Sequence, residues 1–214
     1  MNIGIIGSGN MGASMGKIWA AKGHKVLFSF SKDQEKLRAV AAAAGPNART
    51  GAPAGAVAFG EVILFSVPWA AVPEALKAAG DFQGKTLFSC INRLKPDFSG
   101  LEVGTRTSAA EEIVNLAPGA KVVEAIPPMT QILAADSRRL GGQQISTFYC
   151  GDDKAAKASV ASLLCDLDFD PVDAGSLTSG RYIEPARDAL RSTGLRHGHG
   201  TQAGDEAAPG LTLQ

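Results

Sequence analysis

A glycine-rich turn directly after a short apolar run limits the fold of this chain more than any other feature. Residues 2–6 read Asn-Ile-Gly-Ile-Ile, which predicts a buried strand. Residues 7–12 follow as Gly-Ser-Gly-Asn-Met-Gly, which is the spacing GxGxxG. Beyond Asn10 the apolar residues recur with helical spacing and predict a helix over 10–22. A strand, such a turn and a helix in this order are typical of a dinucleotide-binding unit.

Each glycine of this turn has a physical role in such a unit. Gly7 permits the tight turn, Gly9 lets a pyrophosphate approach the backbone, and Gly12 allows the helix to pack closely on the strand. Unpaired N–H groups and the positive dipole end at the helix N-terminus also favour phosphate. The alternative is a glycine turn without a ligand. The predicted dinucleotide contacts in this segment are Gly7, Ser8, Gly9, Asn10, Met11 and Gly12.

Strands and helices alternate along the rest of the chain. Candidate helix caps stand at Ser31 with Gln34, at Ser108 with Glu111, and at Asp152 or Asp153. The alternation predicts an α/β fold, with a doubly wound, mostly parallel sheet of the NAD(P)-binding Rossmann type and a short C-terminal extension. Further strands are predicted over 25–30, 62–67, 85–90, 121–126 and 144–150.

Composition changes near the end of the chain. From Ser192 onward the sequence is polar and glycine-rich, without apolar periodicity, which predicts a disordered tail. His197 and His199 stand two apart in this tail without a third ligand, so no metal site is predicted. The predicted units are a nucleotide-binding domain over 1–150, a small α/β extension over 151–191 and the tail over 192–214.

The charges of the chain balance, with 21 Lys and Arg residues against 21 Asp and Glu residues. No long-range field is therefore available to collect nucleic acid or to hold an anionic membrane surface, and a small-molecule partner is expected. The absence of an 18-residue apolar run and of a basic leader predicts a cytoplasmic protein. The three cysteines lack metal-ligand spacing and are predicted to be buried thiols: Cys90, Cys150 and Cys165.

The end of the second predicted strand indicates which dinucleotide binds. An NAD site usually carries Asp or Glu there for the ribose 2′-hydroxyl, whereas residues 29–32 read Ser-Phe-Ser-Lys. Ser29 and Ser31 can donate to a 2′-phosphate and Lys32 adds a positive charge, so NADP(H) is favoured over NAD(H). In the alternative interpretation Ser31 only caps a helix and Lys32 is only a solvated charge. The predicted contacts at this tip are Ser29, Phe30, Ser31 and Lys32.

Residues that directly follow strands are further candidates, because ligands of open α/β sheets lie beyond the carboxyl ends of the strands. Pro68 turns the chain away from the sheet and Trp69 can cover the dinucleotide, although buried packing is an equal alternative for Trp69. Asn92 can donate to a ribose or carboxamide oxygen, or cap a loop. The predicted contacts in this group are Val67, Pro68, Trp69, Asn92, Ile126 and Pro127.

Catalytic groups are scarce in the sequence. No Ser/His/Asp or Cys/His set can be assembled, His24 is predicted to be structural, and nothing near Cys90 would make it a nucleophile. Glu124 and Glu184 are isolated candidates for acid–base work and more often ordinary partners. Direct hydride transfer between two bound redox partners needs alignment and no protein nucleophile, so no catalytic residue is assigned.

Several segments in order resemble the F-420-dependent NADP oxidoreductase family. They are GSGNMG (7–12), SVPW (66–69), SAAEEIV (108–114), KVVEAIPP (121–128), YCGDDKAAK (149–157) and DFDPVDAGSLTSGRYIEP (168–185). The resemblance implies hydride transfer between NADP(H) and the deazaflavin coenzyme F-420 in a homodimer. It also implies that NADP lies on 7–12, on 29–32 and on the Pro68–Trp69 loop, with the deazaflavin against the nicotinamide near 126–129.

Two departures from the family pattern concern the 2′-phosphate of NADP and the second substrate, in this order. Ser31-Lys32 replaces the family's Ser-Arg type of pair, and lysine gives charge without the bidentate fork. After Glu184-Pro185 the family continues with an apolar helix at the second substrate and the dimer interface, where this chain has ARDALRSTGLRHGHG. The alternatives are therefore a reductase of another acceptor, such as a flavin, a ferric chelate or an imine, and a dinucleotide-binding module without turnover.

Overall fold

A computed structural model of the protein describes residues 1–93, 95, 100, 106–125, 139–140 and 142–197, leaving aside the side chains of 140 and 189–197. The strands are β1 Asn2–Ile6, β2 Lys25–Ser29, β3 Ala48–Thr50, β4 Val62–Phe65, β5 Thr86–Ser89, β6 Lys121–Ala125, β7 Arg139–Leu140, β8 Gln143–Gln144, β9 Ser146–Gly151 and β10 Asp170–Asp173. The helices are α1 Asn10–Ala21, α2 Gln34–Ala43, α3 Pro53–Phe59, α4 Val72–Ala79, α5 Ala109–Leu116, α6 Lys154–Asp166 and α7 Gly180–His197. Single 3₁₀ turns lie at Trp69–Ala71 and Leu177–Ser179.

The main sheet has eight strands in the order β10-β9-β6-β5-β4-β1-β2-β3, and β7 and β8 form a separate hairpin. Every neighbouring pair in the main sheet is parallel except β6 with β9. The predicted doubly wound, mostly parallel sheet is therefore confirmed. After β3 the chain returns to the other side of β1 and adds β4, so the strand order reverses beside β1. Open α/β sheets bind their ligands at such a reversal.

Helices cover both faces of the sheet. On one face the buried side chains of α1, α2 and α6 pack on the strands, and on the other face those of α3, α4 and α5 do so. The indole N–H of Trp19 in α1 donates to the carbonyl of Leu163 in α6, 2.9 Å away, and joins these two helices on the same face of the sheet. The strand ends that form the site therefore stand on a core closed from both sides.

Helix capping agrees with the sequence at two starts and differs at a third. Ser108 and Glu111 form the predicted capping box of α5, and Asp153 caps α6. For α2 the predicted Ser31 cap is wrong: Asp33 accepts from the N–H groups of Glu35 and Lys36, at 2.9 Å each. The ionised carboxylate of Asp33 is the stronger acceptor for these N–H groups.

The carboxyl-terminal region belongs to the same sheet as the rest. The predicted boundary at 150 falls inside β9, which pairs with both β6 and β10. Helix α7 runs to His197, so residues 192–197 of the predicted tail are helical, while 198–214 and the imidazole of His199 lie outside the described residues. None of the described helices is both long and apolar enough to cross a membrane.

The cysteines and His24 take the following places. Cys90 and Cys150 are buried as expected, but Cys165 is exposed, which corrects the prediction, because it lies on the outer face of α6 beyond the buried Leu163 and Leu164. His24 contacts Asp166 at 3.0 Å at the amino-terminal edge of the sheet, away from the strand ends that carry the glycine turn.

Candidate nucleotide-binding site

Hydrogen bonds from two neighbouring strands fix the glycine turn after β1. Gly7 has a φ of +102°, which glycine adopts without strain, and its N–H donates to the carbonyl of Ser29 at 3.2 Å. The Ser8 hydroxyl donates to the same carbonyl at 3.0 Å. From the end of β4, the Ser66 hydroxyl donates to the Gly7 carbonyl at 2.8 Å. These three hydrogen bonds hold the turn at the N-terminus of α1, where Gly9 provides no side-chain cap for the first N–H groups of the helix.

The second and third glycines of the turn differ in what surrounds them. A Cβ at Gly12 would overlap the Gly7 carbonyl oxygen and lie 2.7 Å from the Ser66 hydroxyl. A Cβ at Gly9 would meet nothing within 4 Å. Gly12 is therefore required by the fold, as predicted, whereas at Gly9 an open approach to the backbone is left. This open approach is the cradle that a pyrophosphate needs, so the residues present can hold a dinucleotide.

A cavity of about 970 Å³ lies over this turn at the carboxyl ends of the strands. It contains eight of the predicted contact residues, from the glycine turn, the tip of β2 and the end of β4. Its walls are Gly7, Ser8, Gly9, Phe30, Ser31, Lys32, Gln34, Lys36, Leu37, Gly51, Ala52, Pro53, Ser66, Val67, Pro68, Ala70, Ala71, Glu74 and Ala78. The volume lies within the range of cofactor pockets.

Two lysines that follow β2 in the sequence line the cavity. Lys32 follows the strand tip and Lys36 comes from the first turn of α2. Phe30, between them and the strand, has a φ of +56°, which is strained for a residue with a side chain. This backbone turn directs the chain after Ser29 along the cavity wall. Among the described lining residues, Glu74 on α4 is the one acid.

Ser29 does not take part in this wall. Its side chain is fully buried and its hydroxyl donates to the Ile5 carbonyl at 2.7 Å. A hydroxyl used in this way inside the sheet cannot donate to a phosphate in the cavity. This geometry corrects the predicted contact of Ser29, which instead joins β1, β2 and the glycine turn.

Trp69 stands beside the cavity without lining it. Its ring is half-buried against the core of the α3, α4 and α5 face, and the Arg93 guanidinium lies 4.8 Å from the ring centre. Arg93 also pairs with Glu112 of α5. The packing alternative considered for Trp69 therefore matches its surroundings, while Val67 and Pro68 before it do line the cavity.

Four more of the predicted contacts do not line the described walls of the cavity. Asn10, Met11 and Gly12 lie in the first turn of α1, behind the glycine turn. The Asn92 side chain is buried, and its amide nitrogen donates to the Glu184 carbonyl at 3.2 Å. Ile126 and Pro127 lie outside the described residues.

The structure brings Glu124 and Glu184, which the sequence left isolated, into one buried pair. We call these two residues the acid pair. Burial, and next the Glu184 charge, raise the pKa of Glu124 well above its ordinary value, and burial raises the pKa of Glu184 to about 7. Their contact joins β6 to α7, a distance in sequence that no local pattern indicates. Burial likewise raises the pKa of the Cys90 thiol, which agrees with its predicted lack of nucleophilic character.

Sequence analysis missed several residues of the cavity, and for some a signal was present. Gly51, Ala52 and Pro53 directly follow β3, so the rule of strand ends identifies them once that strand is known. Lys36 stands four residues after Lys32, in the first turn of α2. Ser66 was recognised only as part of a family segment, although it pins the turn.

The family model described as "NADP oxidoreductase coenzyme F420-dependent" matches residues 2–93, which hold the glycine turn, the lysine tip and the loop after β4. The resemblance to this family is confirmed. A crystal structure from Arthrobacter sp. FB24, ascribed to an F420-dependent NADP reductase, is 29% identical with a TM-score of 0.76, and the match covers 91% of both chains.

Other similar proteins include one without a stated activity and two reductases with different names. A hypothetical protein from Sinorhizobium meliloti is 26% identical, with a TM-score of 0.73, over 84% of this chain and 87% of that one. Metalloreductase STEAP3 of Rattus norvegicus is 26% identical over 85% of this chain, which spans 35% of the length of that protein. An Aspergillus terreus reductive aminase with bound NADPH shares the fold, with a TM-score of 0.63 and 20% identity over 91% of this chain and 61% of that one. The chain thus shares its fold with NAD(P)-dependent reductases, and its resemblance to the NADP oxidoreductase family model lies over residues 2–93.

Proposed function

We propose that the chain is an NADP(H)-dependent oxidoreductase that transfers a hydride between NADP(H) and the deazaflavin coenzyme F-420. One observation carries the choice of NADP(H): Lys32 and Lys36 both line the cavity at the tip of β2, where an NAD site would place an acid. Two ammonium groups there complement a 2′-phosphate, with the Ser31 hydroxyl as a further donor candidate.

The chain's own groups divide the work of binding as follows. The first N–H groups of α1, which no side chain caps, receive the pyrophosphate, with Gly9 leaving room for it. Val67 and Pro68, at the end of β4, border the path from there toward β5. When bound, NADP(H) supplies or accepts the hydride. The protein aligns the two partners and excludes water, and no described side chain is needed as a nucleophile.

The choice of coenzyme F-420 as the second substrate rests on the family match and on the Arthrobacter relative of similar length. A second candidate is a reductase of a ferric chelate or a flavin, which the similarity to a metalloreductase over 85% of the chain supports. Imine reduction is supported by the fold alone. The cytoplasmic location and the homodimer stay predictions from the sequence.

Stopped-flow absorbance with purified protein, NADPH and oxidised F-420 tests the proposal, beside a fluorescence titration with NADPH and NADH. We expect reduction of F-420 and tighter binding of NADPH than of NADH. Turnover with ferric chelate or flavin but not with F-420 would select the second candidate. Binding of NADPH without turnover of any acceptor would leave a dinucleotide-binding module. NADH binding as tightly as NADPH would overturn the choice of NADP(H).

The variant Gly9→Ala is the matched control for this experiment. The added methyl group meets no atom of the protein but occupies the approach to the glycine turn. The variant should fold as the parent does and lose both NADPH binding and turnover together. Turnover that persists unchanged in this variant would place the reaction at a site other than this cavity.

A further inference from the structure

The acid pair occupies a closed interior position between the sheet and α7. Glu124 is fully buried, and no N–H or O–H group of the described residues donates to either of its carboxyl oxygens. One of these oxygens faces Gly180, at which a Cβ would lie 2.8 Å from it and 3.0 Å from the Ser108 hydroxyl. Glycine at the first position of α7 is therefore what allows the helix to approach the Glu124 carboxyl.

Glu184 lies one helical turn after Gly180, on the same side of α7. One oxygen of Glu184 accepts from the N–H groups of Ala109, at 2.6 Å, and Ala110, at 3.4 Å, at the start of α5. The backbone N–H of Arg93 also hydrogen-bonds to its carboxyl. These donors and the positive end of the α5 dipole favour the ionised form of Glu184.

The two carboxyls share this closed interior, with Glu184 one helical turn after the glycine that faces Glu124, and they are near enough that the Glu184 charge raises the pKa of Glu124. Two ionised carboxylates have no hydrogen to share, and burying both charges side by side is strongly unfavourable. A proton on Glu124 removes this conflict, because its O–H then donates to the Glu184 carboxylate, which keeps its own N–H donors. The arrangement follows the rule that closely spaced carboxyls ionise one at a time.

The acid pair also holds the loop that follows β5. The Glu184 carbonyl accepts from the Asn92 amide at 3.2 Å, and its carboxyl binds the neighbouring backbone N–H of Arg93. This loop, residues 91–93, follows β5 at the carboxyl edge of the sheet, the edge at which open α/β sheets bind their ligands.

We propose that Glu124 and Glu184 hold one proton between them at neutral pH, and that this proton keeps the loop 91–93 in position for the hydride acceptor. Glu184 is thus a positioning residue that acts through Asn92 and Arg93. The second part rests on the proposed function, whereas the shared proton stands without it. Loss of the proton places two negative charges in contact and separates α7 from β6.

The charged and titratable groups around the pair fix the direction of its pH dependence. Arg187 on α7 favours the ionised form of Glu124, whereas burial, Glu184 and Glu111 on α5 oppose it. The buried thiols of Cys90 on β5 and Cys150 on β9 stay neutral, since burial raises the pKa of each. The pKa of both carboxyls is above the unfolded value of 4.5, so the folded state binds more protons and loses stability as the pH rises from there.

Denaturant unfolding across about pH 5 to 8 tests the shared proton. The unfolding constant of the parent should rise with pH, at most about tenfold per pH unit for one proton. In Glu124→Gln the amide donates to Glu184 without a proton to lose, so the part of the rise that Glu124 contributes should vanish. The smaller rise that remains comes from the buried Glu184 carboxyl. Glu61→Gln, at an exposed carboxyl on the opposite edge of the sheet, should keep the parental slope. Equal slopes in the parent and in Glu124→Gln would overturn the shared proton.

A measurement on the unmodified chain covers the case in which Glu124→Gln does not fold. In protein labelled with ¹³C at the glutamate carboxyl carbon, one NMR signal should keep the protonated shift at neutral pH while the exposed glutamates have ionised. Titration of every glutamate signal in the ordinary range near pH 4.3 would overturn the shared proton.

The positioning role is tested by the pH profile of turnover with the acceptor that the first experiment identifies. In the parent, KM for the acceptor should rise severalfold above neutral pH, and the Kd of NADPH should not. In Glu124→Gln, KM should be independent of pH over this range. A parental KM without this rise would overturn the positioning role. Absence of turnover with any acceptor would instead count against the proposed function, and the unfolding and NMR results on the proton would still hold.

Discussion

The glycine turn and the acid pair stand at the same edge of one sheet but are built in opposite ways. Around the turn, the geometry depends on glycines, which have no side chain, and the polar contacts come from backbone and hydroxyl groups. Around the acid pair, geometry depends on two buried carboxyls and the N–H groups they bind. The first region leaves a cavity of about 970 Å³, and the second is closed. The turn should therefore respond to added volume and the acid pair to pH.

The largest expected effect is that of Gly12→Ala. Its methyl group would overlap the Gly7 carbonyl oxygen, so helix and strand must separate, and we expect a loss of unfolding free energy of about 3 kcal/mol or more. Gly9→Ala should change the unfolding free energy by less than about 0.5 kcal/mol. The same variant should weaken NADPH binding by more than about 1.4 kcal/mol, which is tenfold. Denaturant unfolding and NADPH titration of both variants measure this. A similar loss of unfolding free energy in both variants would mean that the space around the added methyl group does not distinguish Gly12 from Gly9.

The lysines at the tip of β2 come next. Lys32→Ala and Lys36→Ala should each weaken NADPH binding by about 1 to 2 kcal/mol, through loss of a charge-assisted contact to the 2′-phosphate, and leave NADH binding nearly unchanged. Fluorescence titration with both nucleotides measures the difference. Lys77→Ala, an exposed change on α4 outside the cavity walls, is the control. An equal loss for NADPH and NADH would show that the lysines support the wall and do not select the phosphate.

A smaller effect is expected for Ser29→Ala. Removal of the hydroxyl leaves the Ile5 carbonyl without this donor, so the unfolding free energy should fall by about 1 kcal/mol. Because the hydroxyl points into the sheet, the ratio of NADPH to NADH affinity should be unchanged. A fall in this ratio at constant stability would restore the phosphate contact that the sequence suggested.

The smallest effect concerns the ion pair that borders the acid pair. The Arg181 guanidinium donates to both oxygens of Glu111, at 2.8 Å and 2.6 Å, and this hydrogen bonding lowers the pKa of Glu111. The stability from this pair is present above the unfolded pKa of 4.5 and is lost as the pH falls through the folded value. Arg181→Met should therefore differ from the parent at about pH 6 and approach it at about pH 3. A difference that persists at the lower pH would assign the effect to packing. Exposure of the arginine keeps the effect small.

The same contrast explains how much the sequence could predict. The glycine turn, the strand–helix alternation and the cap at Ser108 all follow from local patterns. Each of them needs only the spacing of a few neighbouring residues. The Glu124–Glu184 contact could not be found this way. It depends on β9 and α7 returning to β6 from distant parts of the chain, a choice made by core packing and not by propensity. The burial of Ser29 also depends on register, since it requires β2 to pair with β1 up to Ile6.

The strand order has a consequence for the chain during its synthesis. β1 emerges first, β2 and β3 extend one side, and from β4 onward each new strand of the main sheet adds to the other side. The sheet can therefore assemble in the order in which a ribosome releases it. The last group that pins the glycine turn is Ser66, whereas the acid pair waits for Glu184. A nascent chain can thus close its nucleotide cradle, and gain a ligand that favours the folded state, more than a hundred residues before the helix that completes its second half has left the tunnel.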